Sequence, residues 1–215
     1  MQLTPPYSLL NNKNYGDLTP QEFYRFIEYH KWKFQAEWYH TLIGKAVLKV
    51  SAKMGMLGFY NKKVGDSPFE RFEFAAEPLA TQYTITGRDQ IYFRGYENTD
   101  FPAQLAPNGQ IIGGASIYNK FSVELRYPVS LNPSSTIYVL AFADAGNAWN
   151  RFRDYDPFNL RRAAGLGLRV FLPMFGTLGF DYGIGFDKPE ILNSADGYKW
   201  SDLGKFQVIL GFEPE

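Results

Sequence analysis

Apolar and polar residues alternate with period two along most of this chain, the signature of strands whose successive side chains point to opposite faces. Trp32, Phe34, Ala36 and Trp38 share one face, against Lys33, Gln35 and Glu37. Leu48, Val50, Ala52, Met54 and Met56 oppose Lys49, Ser51, Lys53 and Gly55. Phe121, Val123, Leu125 and Tyr127 oppose Ser122, Glu124 and Arg126. Leu178, Phe180, Tyr182, Ile184 and Phe186 oppose Gly179, Asp181, Gly183, Gly185 and Asp187. Phe206, Val208, Leu210 and Phe212 oppose Gln207, Ile209 and Gly211. With 69–77, 137–149 and 162–171 added, the pattern predicts about eight strands, each near the ~9–11 residues that cross a bilayer when tilted.

Two architectures generate such dyads. In a soluble sandwich the apolar face makes a core and the polar face meets water. In a membrane barrel the apolar face meets lipid and the polar face lines a lumen. The segments are long, their apolar rows end in Trp, Tyr and Phe, and no second layer is evident to cover the polar faces. Aromatics at the ends of apolar rows are what membrane interfaces select. The reading is therefore all-β, a transmembrane antiparallel barrel. Aromatic residues make up 18% of the 215-residue chain, and no apolar run approaches the roughly 18 residues of a membrane helix.

Connection lengths give the barrel a direction. Segments 130–136 and 172–177 are short turns with Pro or Gly, whereas 150–161 and 188–205 are longer and polar. Outer-membrane barrels alternate short periplasmic turns with longer external loops, so the short turns are expected to face the periplasm. The 78–117 connection starts outside and is too long for a hairpin, which marks it as functional. Ahead of the first clear strand, Thr19-Pro20-Gln21-Glu22 forms a capping box with Pro at the first helical position. Strand parity places this 11–31 connection, with its short helix, on the periplasmic side. Phe23, Phe26 and Ile27 then either contact a partner or plug the lower rim.

Composition excludes much. Twenty-two Lys and Arg balance 22 Asp and Glu, so no global field invites nucleic acid. Cysteine is absent, which removes disulfides, thiol catalysis and zinc-finger sites. His30 and His40 share the parity of Trp32 and Phe34, a poor arrangement for a triad or a metal pair. Asp181 and Asp187 are six residues apart, roughly 20 Å along a strand, too far for paired acid–base work. "DAGNAW" and "RDYDPF" lack the spacing of a calcium loop. The expectation is no enzyme, no metal and no cofactor. Met1 is followed by neither a basic nor an apolar leader segment, so either a leader has been removed or the chain is a piece of a longer one.

A different constellation remains. Arg94-Gly95-Tyr96 sits in the long connection. If that loop folds inward, Arg94 meets Glu124 on the lumen face of one strand and Asp144 on the next. One guanidinium facing two carboxylates forms planar, charge-assisted pairs. The alternative is a solvated loop arginine worth little.

These pieces together resemble one family. "FRGY" (93–96) is similar to the Arg-Gly-aromatic signature of the Omp85 superfamily, and "FADAG" (142–146) to its F-x-D-x-G strand, with Gly146 closing the motif. "SVELRYP" (122–128) resembles the preceding strand, with Glu124 in the acidic position. "RRAAGLGLRVFLPMFGTLGFDYG" (161–183) resembles the next two strands. "FQVILGF" (206–212) resembles the terminal β-signal, carried here by Phe206, Val208, Leu210, Gly211 and Phe212. Order and spacing match the BamA subgroup best, as do "LTPPYSL" (3–9) and "ERFEFAAE" (70–77). One departure is Pro214, where the β-signal has an aromatic.

The resemblance implies a sixteen-stranded barrel behind periplasmic domains, of which this chain looks like the last eight strands. It implies non-enzymatic insertion of client β-barrels into the bacterial outer membrane. Unfolded outer-membrane proteins, Bam-type accessory lipoproteins and outer-membrane lipid are then its partners, and nucleic acid is not. It also implies that Arg94 is held in the lumen by Glu124 and Asp144. A secretion or translocation pore of the same superfamily, and a small structural eight-stranded barrel, are the alternatives.

Overall fold

The computed structural model describes residues 1–10, 27–63, 67, 69–76, 88–101, 114–132, 135–173, 176–188 and 203–211. Its framework is one antiparallel sheet. The strands are β1 (Gln2–Leu3), β2 (His30–Thr41), β3 (Val47–Gly58), β6 (Ile117–Asn132), β7 (Ser135–Trp149), β8 (Arg161–Leu172), β9 (Gly176–Gly185) and β10 (Gly204–Gly211). Their spatial order is β1-β2-β3-β6-β7-β8-β9-β10, and β1 does not pair with β10, so the sheet is not closed. A second sheet holds only β4 (Phe72–Phe74) and β5 (Asp89–Ile91), which run parallel. A short helix, α1 (Tyr7–Leu10), follows β1.

Burial along β6 shows which solvent each face meets. Phe121, Val123, Leu125, Tyr127, Val129 and Leu131 are all exposed, while Ser122 and Glu124 between them are buried. A water-soluble sheet would do the opposite, because apolar area avoids water. An exposed apolar face over a buried polar one is the polarity of a barrel wall against lipid. Register carries that polarity across the sheet. Ser122 pairs with Ser51 and Asp144, Glu124 with Lys49 and Phe142, and Asp181 with Gly167 and Gln207. His30 and His40 lie on the Trp32 face, with the His40 ring stacked on Trp38.

Three expectations change. Segment 69–77 is not a wall strand: its core is the three-residue β4, whose Phe72 and Phe74 are fully buried. A three-residue alternation fits an interior strand as well as the start of a membrane one, and only length separates them. The connection between β3 and β6 therefore runs from Phe59 to Ser116, longer than the 78–117 read from sequence.

The connection leading into β2 is also relocated. His30 pairs with Gly58, at the end where β6 begins and β7 finishes, which is the end of the long connections. The turn 42–46, the end of β6 with the start of β7, and the end of β8 with the start of β9 lie at the other end. The described flanks of the 11–31 segment thus sit opposite the short turns, because β2 starts rather than ends there. The capping box, Phe23 and Phe26 lie outside the described residues; Ile27 is exposed.

Finally, the inner face does carry a second layer. Phe72, Phe74, Ile91, Phe93, Tyr96 and Phe101 pack with Leu57, Tyr118, Ala148 and Ala163 of the wall in one buried cluster. The long connection thereby builds an apolar core inside the sheet, at the end of the long loops.

Candidate functional site

The site is the place where residues 92–96 meet the inner wall. Gly95 adopts φ +80, a left-handed conformation that glycine takes without steric cost. A Cβ there would lie 3.1 Å from the Gly185 nitrogen and 3.2 Å from the Gly183 carbonyl carbon. In reverse, a Cβ on Gly183 would sit 2.8 Å from the Gly95 nitrogen, and one on Gly185 2.8 Å from the Tyr96 ring. Loop backbone thus lies directly on wall backbone, an approach that side chains on β9 would prevent. Gly183 and Gly185 of β9, both on the lumen parity, are the bed of the loop.

Next to that bed, Arg94 is engulfed by charge partners. Its Nε and Nη2 donate to both Asp144 oxygens at 2.7 Å, a bidentate pair. Nη1 lies 2.8 Å from Glu124 Oε1, and Nη2 also donates to Ser122 Oγ at 2.8 Å. Ser122 Oγ in turn donates to Asp144 Oδ1 at 2.6 Å. The guanidinium stacks on Phe142, 3.7 Å from its ring centre, so an aromatic face adds to the attraction. Arg126 holds the second Glu124 oxygen at 2.6 Å. Phe142, Asp144 and Gly146 each have a distinct contact here: ring stacking, charge pairing and clearance. A Cβ on Gly146 would come within 3.0 Å of Phe74 and Phe93.

Tyr96 ties the loop to the rim. Its hydroxyl donates to the Arg162 carbonyl at 2.8 Å and accepts from the Asp187 amide at 2.9 Å. Burial raises its pKa to about 12, so the hydroxyl keeps its proton. Asp187 lies beyond the end of β9 and receives both Nε and Nη2 of Arg162. Those bonds hold its carboxyl below the ordinary value, against the opposing effect of partial burial. Asp187 is thus a rim residue rather than a member of the lumen row.

Reading the sequence missed a second charge pair. Arg169 Nη1 and Nη2 donate to Asp181 Oδ1 and Oδ2 at 2.7 and 2.8 Å, with both residues fully buried. The signal was present: both have lumen parity, and both lie a similar distance from the 173–175 turn. Of the β-signal residues, Phe206 and Leu210 face outward and are exposed, Val208 shares their parity, and Gly211 pairs with Thr177. Phe212 lies outside the described residues. Among the described residues no cluster of His, Cys, Asp or Glu is arranged to hold a metal.

An open antiparallel sheet with lipid-facing apolar residues, and a loop folded onto its polar face, defines a membrane β-barrel wall with an internal loop. The Omp85 superfamily domain matches residues 16–210, and the chain belongs to that superfamily. Its members are outer-membrane β-barrels that handle protein substrates as insertases or translocators, generally without enzymatic activity. No curated protein matches the chain.

Proposed function

We propose that this chain belongs to a BamA-like insertase that folds client β-barrels into the bacterial outer membrane by strand addition at β10. The observation that carries this reading is the internal loop, whose Arg94 is clamped on the inner face by Glu124 and Asp144. Among the described residues β10 (Gly204–Gly211) is the last strand of the sheet and pairs with β9. Bare N–H and C=O groups are costly in lipid, so an unpaired edge templates an incoming strand. A short strand beside it also offers a narrower apolar band, which draws the bilayer thin where the client enters. Unfolded outer-membrane proteins are then the clients, with Bam-type lipoproteins and outer-membrane lipid as partners.

The loop belongs to the same reading. Arg94, held by Glu124 and Asp144, fixes residues 92–96 against the wall and keeps the barrel rigid on the side away from the moving edge. An isolated eight-stranded barrel is disfavoured because the sheet is open. A translocation pore of the same superfamily is the competing reading, and the route of the substrate separates the two.

The test is site-specific photocrosslinking in intact cells, with probes at Leu210 on the β10 edge and at Gln35 on the inner face. Strand addition predicts crosslinks from stalled client strands to position 210. Crosslinks dominated by position 35 favour the pore, and a β10 edge that stays fully zipped while clients arrive would falsify the insertase reading.

A further inference from the structure

We infer that the Arg169–Asp181 pair is a second seat for the internal loop, engaged by the Tyr92 hydroxyl, and that Tyr92 is a positioning residue. This rests on the reading of the loop as an internal latch. It adds an anchor on β8 and β9, beside the terminal strand, to the one that Arg94 makes on β6 and β7.

The geometry has three independent parts. Tyr92 is buried, and its hydroxyl donates to Asp181 Oδ2 at 3.0 Å. On the other side of the same residue, the buried Lys120 ammonium donates to the Tyr92 carbonyl at 2.6 Å. Tyr92 is thus gripped by side chain and by backbone, from two different wall strands.

The wall, in turn, is shaped to present this carboxylate. Arg169 sits opposite Gly179 and Asp181 opposite Gly167, so each charge faces a glycine across the ladder. A Cβ at 167 would collide with Asp181 Oδ1 at 2.2 Å, and one at 179 would meet the Arg169 side chain at 3.0 Å. Both side chains therefore lie flat along the wall, and Oδ2 remains within reach of the loop.

The third part links this seat to the moving edge. Gln207 of β10 is the register partner of Asp181, on the same face. It is buried, and neither of its amide atoms has a hydrogen-bond partner among the described residues. The carboxylate that holds the loop therefore stands beside an unsatisfied amide on the terminal strand. The Asp181 oxygens are shared by the wall through Arg169 and by the loop through Tyr92, one register position from β10.

The experiment is amide hydrogen exchange of residues 88–101 in the full-length protein in lipid, comparing wild type with Tyr92→Phe, Asp181→Asn and the double variant. Tyr92→Phe deletes one oxygen and leaves the wall pair intact, so it stays informative if Asp181→Asn fails to fold. A hydrogen bond to a charged group is worth a change of about tenfold or more. The expected result is exchange about tenfold faster in Tyr92→Phe, with the wall strands and the thermal midpoint unchanged. The double variant should be no faster than Asp181→Asn. Exchange in Tyr92→Phe equal to wild type, or additive effects in the double variant, overturns the proposal. Faster loop exchange in a protein that inserts no clients keeps the second seat and counts instead against the insertase reading.

Discussion

Asp144 and Glu124 are carboxylates withdrawn from solvent, and Arg94 is the cation they share at 2.7 and 2.8 Å. Arg94→Ala leaves two buried anions with Arg126 on only one of them, a change that costs about 3–5 kcal/mol. The expected outcome is a marked fall in the temperature at which the folded barrel loses its compact gel mobility. Arg94→Lys keeps the charge but not the planar fork, and should recover only part of the loss. Gly183→Ala tests the bed instead of the charge. Its Cβ would meet loop backbone at 2.8 Å, which cannot rotate away, so proteolysis within 88–101 should accelerate while Arg94 keeps its partners in sequence. At the rim, Arg162 holds the Asp187 carboxyl below its ordinary pKa. Because the folded value is depressed, this contribution is present above about pH 4 and fades as pH falls through the folded pKa. An NMR titration of Asp187 should show a depressed midpoint that Arg162→Gln returns toward the ordinary value.

At the scale of elements, period-two alternation was sufficient wherever a strand was long. Glu124 could be placed on the lumen face from its neighbours alone, because a strand face repeats every second residue without drift. The same rule misplaced 69–77, since Phe72 and Phe74 alternate like wall residues yet face an apolar core inside the sheet. Connection counting failed with it: the end at which β2 starts depends on pairing with β3, which no local pattern specifies. The Arg169–Asp181–Tyr92 contact needed both a hairpin register and a loop trajectory, and the trajectory of an irregular segment is set by tertiary packing. Face identity itself makes a sharp prediction. Leu125→Arg, on the lipid side of β6, should cost about 2–4 kcal/mol in a vesicle folding titration if it lies near the bilayer midplane. Ser51→Ala, on the polar face of β3, should change stability far less, since it alters no lipid contact.

At the scale of the whole molecule the described strands shorten toward β10. Successive strands from β6 to β10 have 16, 15, 12, 10 and 8 residues. On β6 the exposed apolar row from Phe121 to Leu131 spans about 33 Å along the strand, or roughly 25 Å of membrane at a 40° tilt. On β10 the described row from Phe206 to Leu210 spans about 13 Å, or roughly 10 Å at the same tilt. If the lipid-facing row ends near Leu210, lipid beside β10 thins, since leaving polar backbone in hydrocarbon costs more. Imaging of the full-length protein in nanodiscs should therefore show a bilayer several Å thinner beside β10 than beside β6. Lipids with longer acyl chains should slow client insertion, because the mismatch cost grows with thickness. A bilayer of uniform thickness around the barrel would remove the mechanical part of the proposal and leave only the templating edge.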